Sequence, residues 1–122
     1  MDAPPNLGEF EQLILLAIVR LKDDAYGVSI RAELKARAER DVAPGALYTA
    51  LERLETKGLI KSRLSDPTPQ RGGRAKRLVT VTASGMEALT RSVQAYERLL
   101  EGLDLLRGDL LRGVDLLRGV HA

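Results

Sequence analysis

The stretch Leu47-Tyr48-Thr49-Ala50-Leu51-Glu52-Arg53-Leu54-Glu55-Thr56-Lys57-Gly58-Leu59-Ile60 decides the fold. Leu47, Leu51 and Leu54 recur at i, i+4 and i+7, the spacing of one face of an α-helix. Pro44 stands where the first turn would begin, and Gly58 where the helix would end, so the helix is predicted from Pro44 to about Lys57. With the leucines inward, Gly45, Ala46, Tyr48, Thr49, Glu52 and Arg53 face outward. Small residues at the first turn let a backbone approach a groove closely. Thr49 and Arg53 suit base edges or phosphates, and Tyr48 offers a hydroxyl to a phosphate oxygen.

Upstream of this helix, Leu7 to Leu21 is helical in pattern and apolar nearly all round: Phe10, Leu13, Ile14, Ala17 and Leu21 on one face, Leu15, Leu16, Ile18 and Val19 on the flanks. A helix of that kind is covered on more than one side, and in a short chain a second subunit is the economical cover. A second helix is predicted from Ala25 to about Glu39, capped by Asp24, with Val28, Ile30 and Leu34 inward. The short connection to the third helix completes a helix-turn-helix.

Downstream the period changes from helical to alternating. Leu59 to Leu64 and the β-branched run Arg77 to Val81 read as two strands. The turn-forming segment Asp66-Pro-Thr-Pro-Gln-Arg-Gly-Gly73 between them makes a hairpin with a long basic tip. Thr82 then caps a last helix whose stripe is Met86, Leu89, Val93, Tyr96, Leu99/Leu100, Leu103 and Leu106. Three helices, a hairpin and a helix make a mainly α fold with a small β-hairpin: a winged helix-turn-helix with a long C-terminal dimerisation helix. The expected divisions are 1–82, 83–106 and a tail at 107–122. In that last region Leu-Leu-Arg-Gly recurs at 105–108, 110–113 and 116–119. The tail is either a helix extension or a frayed repeat.

Charge supports a polyanion partner. The 122 residues carry 19 Lys+Arg and 17 Asp+Glu, but the excess is local. Residues 1–39 hold 5 basic and 7 acidic side chains, 40–82 hold 9 and 4, and 83–122 hold 5 and 6. A confined basic surface on a near-neutral chain is an electrostatic footprint for nucleic acid. The hairpin tip and its base supply Arg71, Arg74 and Lys76.

Composition removes other classes. With no Cys and one His, at position 121, neither a thiol nucleophile, a Ser–His–Asp triad nor a multi-histidine metal site is expected, so no enzyme activity and no cofactor. The apolar run Leu13 to Val19 is far below the roughly 20 residues that span a bilayer. A cytoplasmic protein without membrane contact is expected.

The ordered motifs resemble the PadR-type transcriptional regulators in their short form, with a single C-terminal dimerisation helix. The resemblance covers about Leu7 to Leu106 and rests on Tyr26-Gly27, the 47–60 run, Gly73-Arg74 with Lys76-Arg77, and Thr82-x-x-Gly85. It implies a homodimer on a palindromic operator in double-stranded DNA. The expected function is that of a repressor, released from DNA either by a small hydrophobic effector or by no ligand. By position Tyr26, Tyr48, Thr49, Arg53, Arg74 and Lys76 take the DNA-contact role and Ala46 lines the groove; Arg71 joins them from the basic hairpin tip. Leu15, Val19, Leu89, Val93, Tyr96, Leu99, Leu100, Leu103 and Leu106 take dimerisation. Tyr96 stands where multidrug-sensing members carry a ligand-stacking tryptophan; Tyr96 with Phe10 is the expected ligand site, or Tyr96 is dimer packing alone. The second reading is a winged-helix protein-interaction module that does not bind DNA specifically.

Overall fold

The computed structural model describes residues 6–65 and 75–103. Its elements are α1 (Glu9–Leu21), a single 3-10 turn (Lys22–Asp24), α2 (Gly27–Ala38), α3 (Pro44–Thr56), the strands β1 (Ile60–Leu64) and β2 (Arg77–Val81), and α4 (Ala83–Leu100). This is the expected mainly helical architecture with one antiparallel hairpin, and its order is that of a winged helix.

Local chemistry explains each boundary. The Glu11 carboxylate accepts the Gly8 N–H at 3.0 Å, which starts α1 at Glu9 rather than Leu7. Asp24 does not cap α2. The helix begins after Tyr26, whose N–H donates to Ser29 Oγ at 3.0 Å, while Asp24 lies in the 3-10 turn. Glu39, left-handed at φ 55°, ends α2, and the Arg40 N–H bonds back to the Leu34 carbonyl at 3.1 Å. Arg31 Nε donates to the Val42 carbonyl at 2.7 Å and so pins the turn between α2 and α3. Pro44 opens α3, and Gly58 at φ 76° closes it. The strands pair from Ile60↔Val81 to Leu64↔Arg77.

The core is aliphatic. Ile14, Leu15, Ile18, Ile30, Leu47, Leu54 and Leu59 are almost wholly removed from solvent, and Phe10 packs against them half-buried. No polar or charged residue among the described ones is buried. The Val79 N–H bonds to the Ala25 carbonyl at 2.9 Å, joining the hairpin to the approach to α2. The α4 cap is as expected: Thr82 Oγ1 accepts the Gly85 N–H at 3.1 Å and donates to the Gly58 carbonyl at 2.6 Å. A Cβ on Gly85 would lie 2.1 Å from the Leu59 carbonyl oxygen, so only glycine permits that approach.

Three further expectations are corrected. Val28 is 65% exposed, because the inward face of α2 is set by Ile30 and Leu34. Leu15 and Leu89, assigned to a partner interface, are buried in the chain's own core and have no surface to offer one. The last helix ends at Leu100 rather than Leu106; Gly102 follows at φ 79°, and the Leu103 N–H turns back to the Leu100 carbonyl at 2.9 Å. Leu106 and the Leu-Leu-Arg-Gly repeats lie outside the described residues.

The chain divides into two units, Met1–Ser92 and Val93–Ala122, within α4. In the first, Leu16, Val19 and Met86 are exposed apolar residues; in the second, Val93, Tyr96, Leu99 and Leu100 are. Among the described residues no helix is long and apolar enough to cross a membrane.

Candidate nucleic-acid interface

The leucine spacing of α3 separates its faces as expected. Leu47 and Leu54 are buried, Leu51 packs against the core, and Ala46, Tyr48, Thr49, Glu52 and Arg53 face solvent. Six of the eight expected DNA-contact residues therefore have outward or half-exposed side chains near one another in sequence or through the hairpin: Ala46, Tyr48, Thr49 and Arg53 on α3, Tyr26 at the start of α2, and Lys76 before β2.

The hairpin brings cations onto both tyrosines. Lys76 Nζ sits 4.4 Å from the centre of the Tyr26 ring, and the Arg77 guanidinium 5.9 Å from that of Tyr48. Both distances fall within the range at which a ring face attracts a cation. Arg77 Nη2 also donates to Glu55 Oε1 at 2.7 Å. That charge-assisted bond, despite the opposing effect of partial burial, holds the guanidinium in its charged form above its ordinary value; Tyr48 adds to the same direction. Ser62 Oγ donates to the same carboxylate at 3.1 Å to Oε1 and 3.2 Å to Oε2.

A second ionic contact fixes the far end of α3. Lys57 Nζ bonds Glu11 Oε2 at 2.6 Å, so the end of α3 is tied to the first turn of α1. Burial acts to raise the Glu11 carboxyl, but the bonds from Lys57 and the Gly8 N–H, with the Lys57 and Arg53 charges, outweigh it and hold the group below its ordinary value. Arg53 thus lies in the field of this pair while its side chain stays at the surface.

The residues that sequence reasoning missed are Glu55 and Arg77. Glu55 follows Tyr48 by seven positions, two helical turns, which places both on one edge of α3. That spacing was available; which edge the hairpin would meet was not. Arg71 and Arg74 lie outside the described residues. Of the expected ligand residues, Phe10 packs half-buried against the core of the first unit, and Tyr96, in the second, is 54% exposed. A cavity of about 210 Å³ in the first unit is lined by Ile18, Val19, Lys22, Asp23, Thr80, Val81 and Met86. Neither expected ligand residue lines it. Among the described residues no cluster of His, Cys, Asp or Glu could hold a metal ion.

Residues 15–91 match the model of the transcriptional regulator PadR-like family, which is more than half of the chain. The chain belongs to the PadR-like family. This PadR-family regulator is 38% identical over 79 residues to the transcriptional regulator Rv3488 of Mycobacterium tuberculosis (strain ATCC 25618 / H37Rv), a match covering 63% of this chain and 67% of that protein. A PadR family transcription regulator from hypervirulent Clostridium difficile R20291 has a similar structure, with a TM-score of 0.66 at 28% identity over 81% of this chain and 98% of that one. A PadR-like transcriptional regulator from Bacillus cereus strain ATCC 14579 shares the fold, with a TM-score of 0.64 at 23% identity over 80% and 89% of the two chains. The matched family and the named relatives are regulators of transcription rather than enzymes.

Proposed function

We propose that this PadR-family regulator is a homodimeric, sequence-specific DNA-binding repressor acting in the cytoplasm. The observation that carries the reading is the outer face of α3, where Ala46, Tyr48, Thr49 and Arg53 are presented to solvent beside the paired cations Lys76 and Arg77. A helix of these dimensions enters a major groove, and the small Ala46 at its first turn allows close approach while Thr49 and Arg53 reach base edges. Lys76 supplies charge for the adjacent backbone, and Arg71 and Arg74 join it by sequence position. Two copies related by a two-fold axis would read the half-sites of a palindromic operator.

For dimerisation, the support is exposed apolar surface: Leu16, Val19 and Met86 in the first unit, and Val93, Tyr96, Leu99 and Leu100 in the second. Of the residues expected at the interface, we assign Val19, Val93, Tyr96, Leu99, Leu100 and Leu103 to it, with Leu106 added by sequence position alone. A small hydrophobic effector acting at the exposed Tyr96 ring would release the repressor from DNA.

One set of measurements tests these points. The purified protein is expected to retard DNA from its own upstream region more strongly than a scrambled duplex, and to sediment at twice the 13.3 kDa chain mass. Equal binding to both duplexes would overturn the specific-DNA reading in favour of a protein-interaction module. A sedimentation mass of one chain at micromolar concentration would overturn the dimer. Release of the upstream DNA by a planar hydrophobic compound, abolished in Tyr96→Ala, would establish the effector site; release unaltered by that substitution would remove Tyr96 from it.

A further inference from the structure

The Glu55 carboxylate is an anomaly on a surface meant for a polyanion, because a negative charge there repels phosphate. Its contacts show what it does instead. It accepts from Ser62 of β1 and from Arg77 of β2, so one group on α3 holds both strands of the hairpin. Ser62 is opposite Val79 in the ladder, and Arg77 forms the outermost pair, with Leu64. Arg77 lies in turn against the ring of Tyr48, two turns before Glu55 on the same helix edge. The guanidinium thus has two occupations within the protein, a carboxylate and an aromatic face, and its charge is matched by that of Glu55. A residue so engaged adds little to the count of phosphates neutralised, yet it fixes where Tyr48 stands relative to the hairpin.

We infer that Glu55 and Arg77 are positioning residues for DNA recognition: they tie the hairpin to α3 and hold the Tyr48 ring in the place from which it meets DNA. This rests on the DNA-binding reading above. Arginine is required because its planar fork engages the carboxylate and stacks on the ring together, which a lysine ammonium does not reproduce.

The test compares Arg77→Lys and Glu55→Gln with the wild-type chain on its own upstream duplex and on a scrambled duplex, over a range of salt. Arg77→Lys keeps the charge, so a phosphate-contact role would leave binding unchanged. The tie instead requires the upstream-to-scrambled affinity ratio to fall about three- to tenfold with the salt slope unaltered. Glu55→Gln removes a negative charge, and simple electrostatics would tighten binding to both duplexes. The tie requires the affinity ratio to fall here too, and the double variant to be no worse than the poorer single one. An unchanged ratio in Arg77→Lys, or uniformly tighter binding by Glu55→Gln, overturns the proposal while leaving DNA binding intact. A wild-type chain with no preference for its upstream duplex overturns the DNA reading itself, and this inference with it. Thermal unfolding of both variants near the wild-type midpoint separates lost positioning from lost fold.

Discussion

The outer edge of α3 and the turn into α4 are both places where the hairpin meets a helix, and they are built from opposite materials. At α4, Gly85 presses against the Leu59 carbonyl with no room for a methyl group, and Thr82 locks the turn to Gly58. On α3, the contact is made by side chains at the surface, Arg77 with Glu55 and Tyr48, at side-chain exposures of 43% and 38% for the ion pair. Close packing has no cheap alternative arrangement, so it sets the fold. Exposed ion pairs contribute little to stability, so the tie on α3 can orient surface side chains without setting the fold.

The comparison breaks most severely at Gly85. Gly85→Ala is expected to cost about 3 kcal/mol or more through overpacking against backbone, read as a large fall in the urea midpoint or loss of soluble protein. Next is Leu54→Ala, which opens a cavity under α3; a loss of about 3 kcal/mol in chemical unfolding is expected. Arg53→Ala reverses the pattern: folding stability within about 0.5 kcal/mol of wild type, but operator affinity down by about 1–3 kcal/mol with relaxed specificity. Equal stability losses in Leu54→Ala and Arg53→Ala would erase the distinction between the two regions.

The smallest effect belongs to Glu11, whose carboxyl is held low in the folded chain. A depressed carboxyl contributes stability that is present above its unfolded value and lost as pH falls through the folded one. Thermal midpoints should therefore drop as pH falls below about 4.3, and Glu11→Gln should remove part of that drop while leaving the midpoint at pH 7 slightly lower. An acid profile identical in the two proteins would show that the tie of α1 to α3 carries no charge-dependent stability.

Much of this was legible along the chain. Leu47, Leu51 and Leu54 gave the inward face of α3, and Pro44 and Gly58 its ends. The motif Thr82-x-x-Gly85 marked the start of α4. Errors arose where a local rule had a competitor. Asp24 is a good capping residue, but Ser29 three positions into the helix satisfies the Tyr26 N–H, so the start moved. Val28 is apolar yet exposed, since Ile30 and Leu34 already fill the inward side of α2. Leu15 and Val19 looked equivalent on an all-apolar helix. One is buried and the other 40% exposed, a difference set by the elements around α1 and not by α1 itself.

The sequence by itself determined the order of elements, the polar face of α3, the confinement of positive charge to the middle third and membership of the PadR-like family. Those follow from periodicity, turn chemistry and composition, all of which are local. Only the tertiary structure decided that Glu55 would face β1 and β2, that Arg77 would lie between it and Tyr48, and that Lys76 would cover Tyr26. The period of a helix states which residues share a face. Which face meets which neighbour depends on how strands and helices cross, and that is settled by the packing of the whole core.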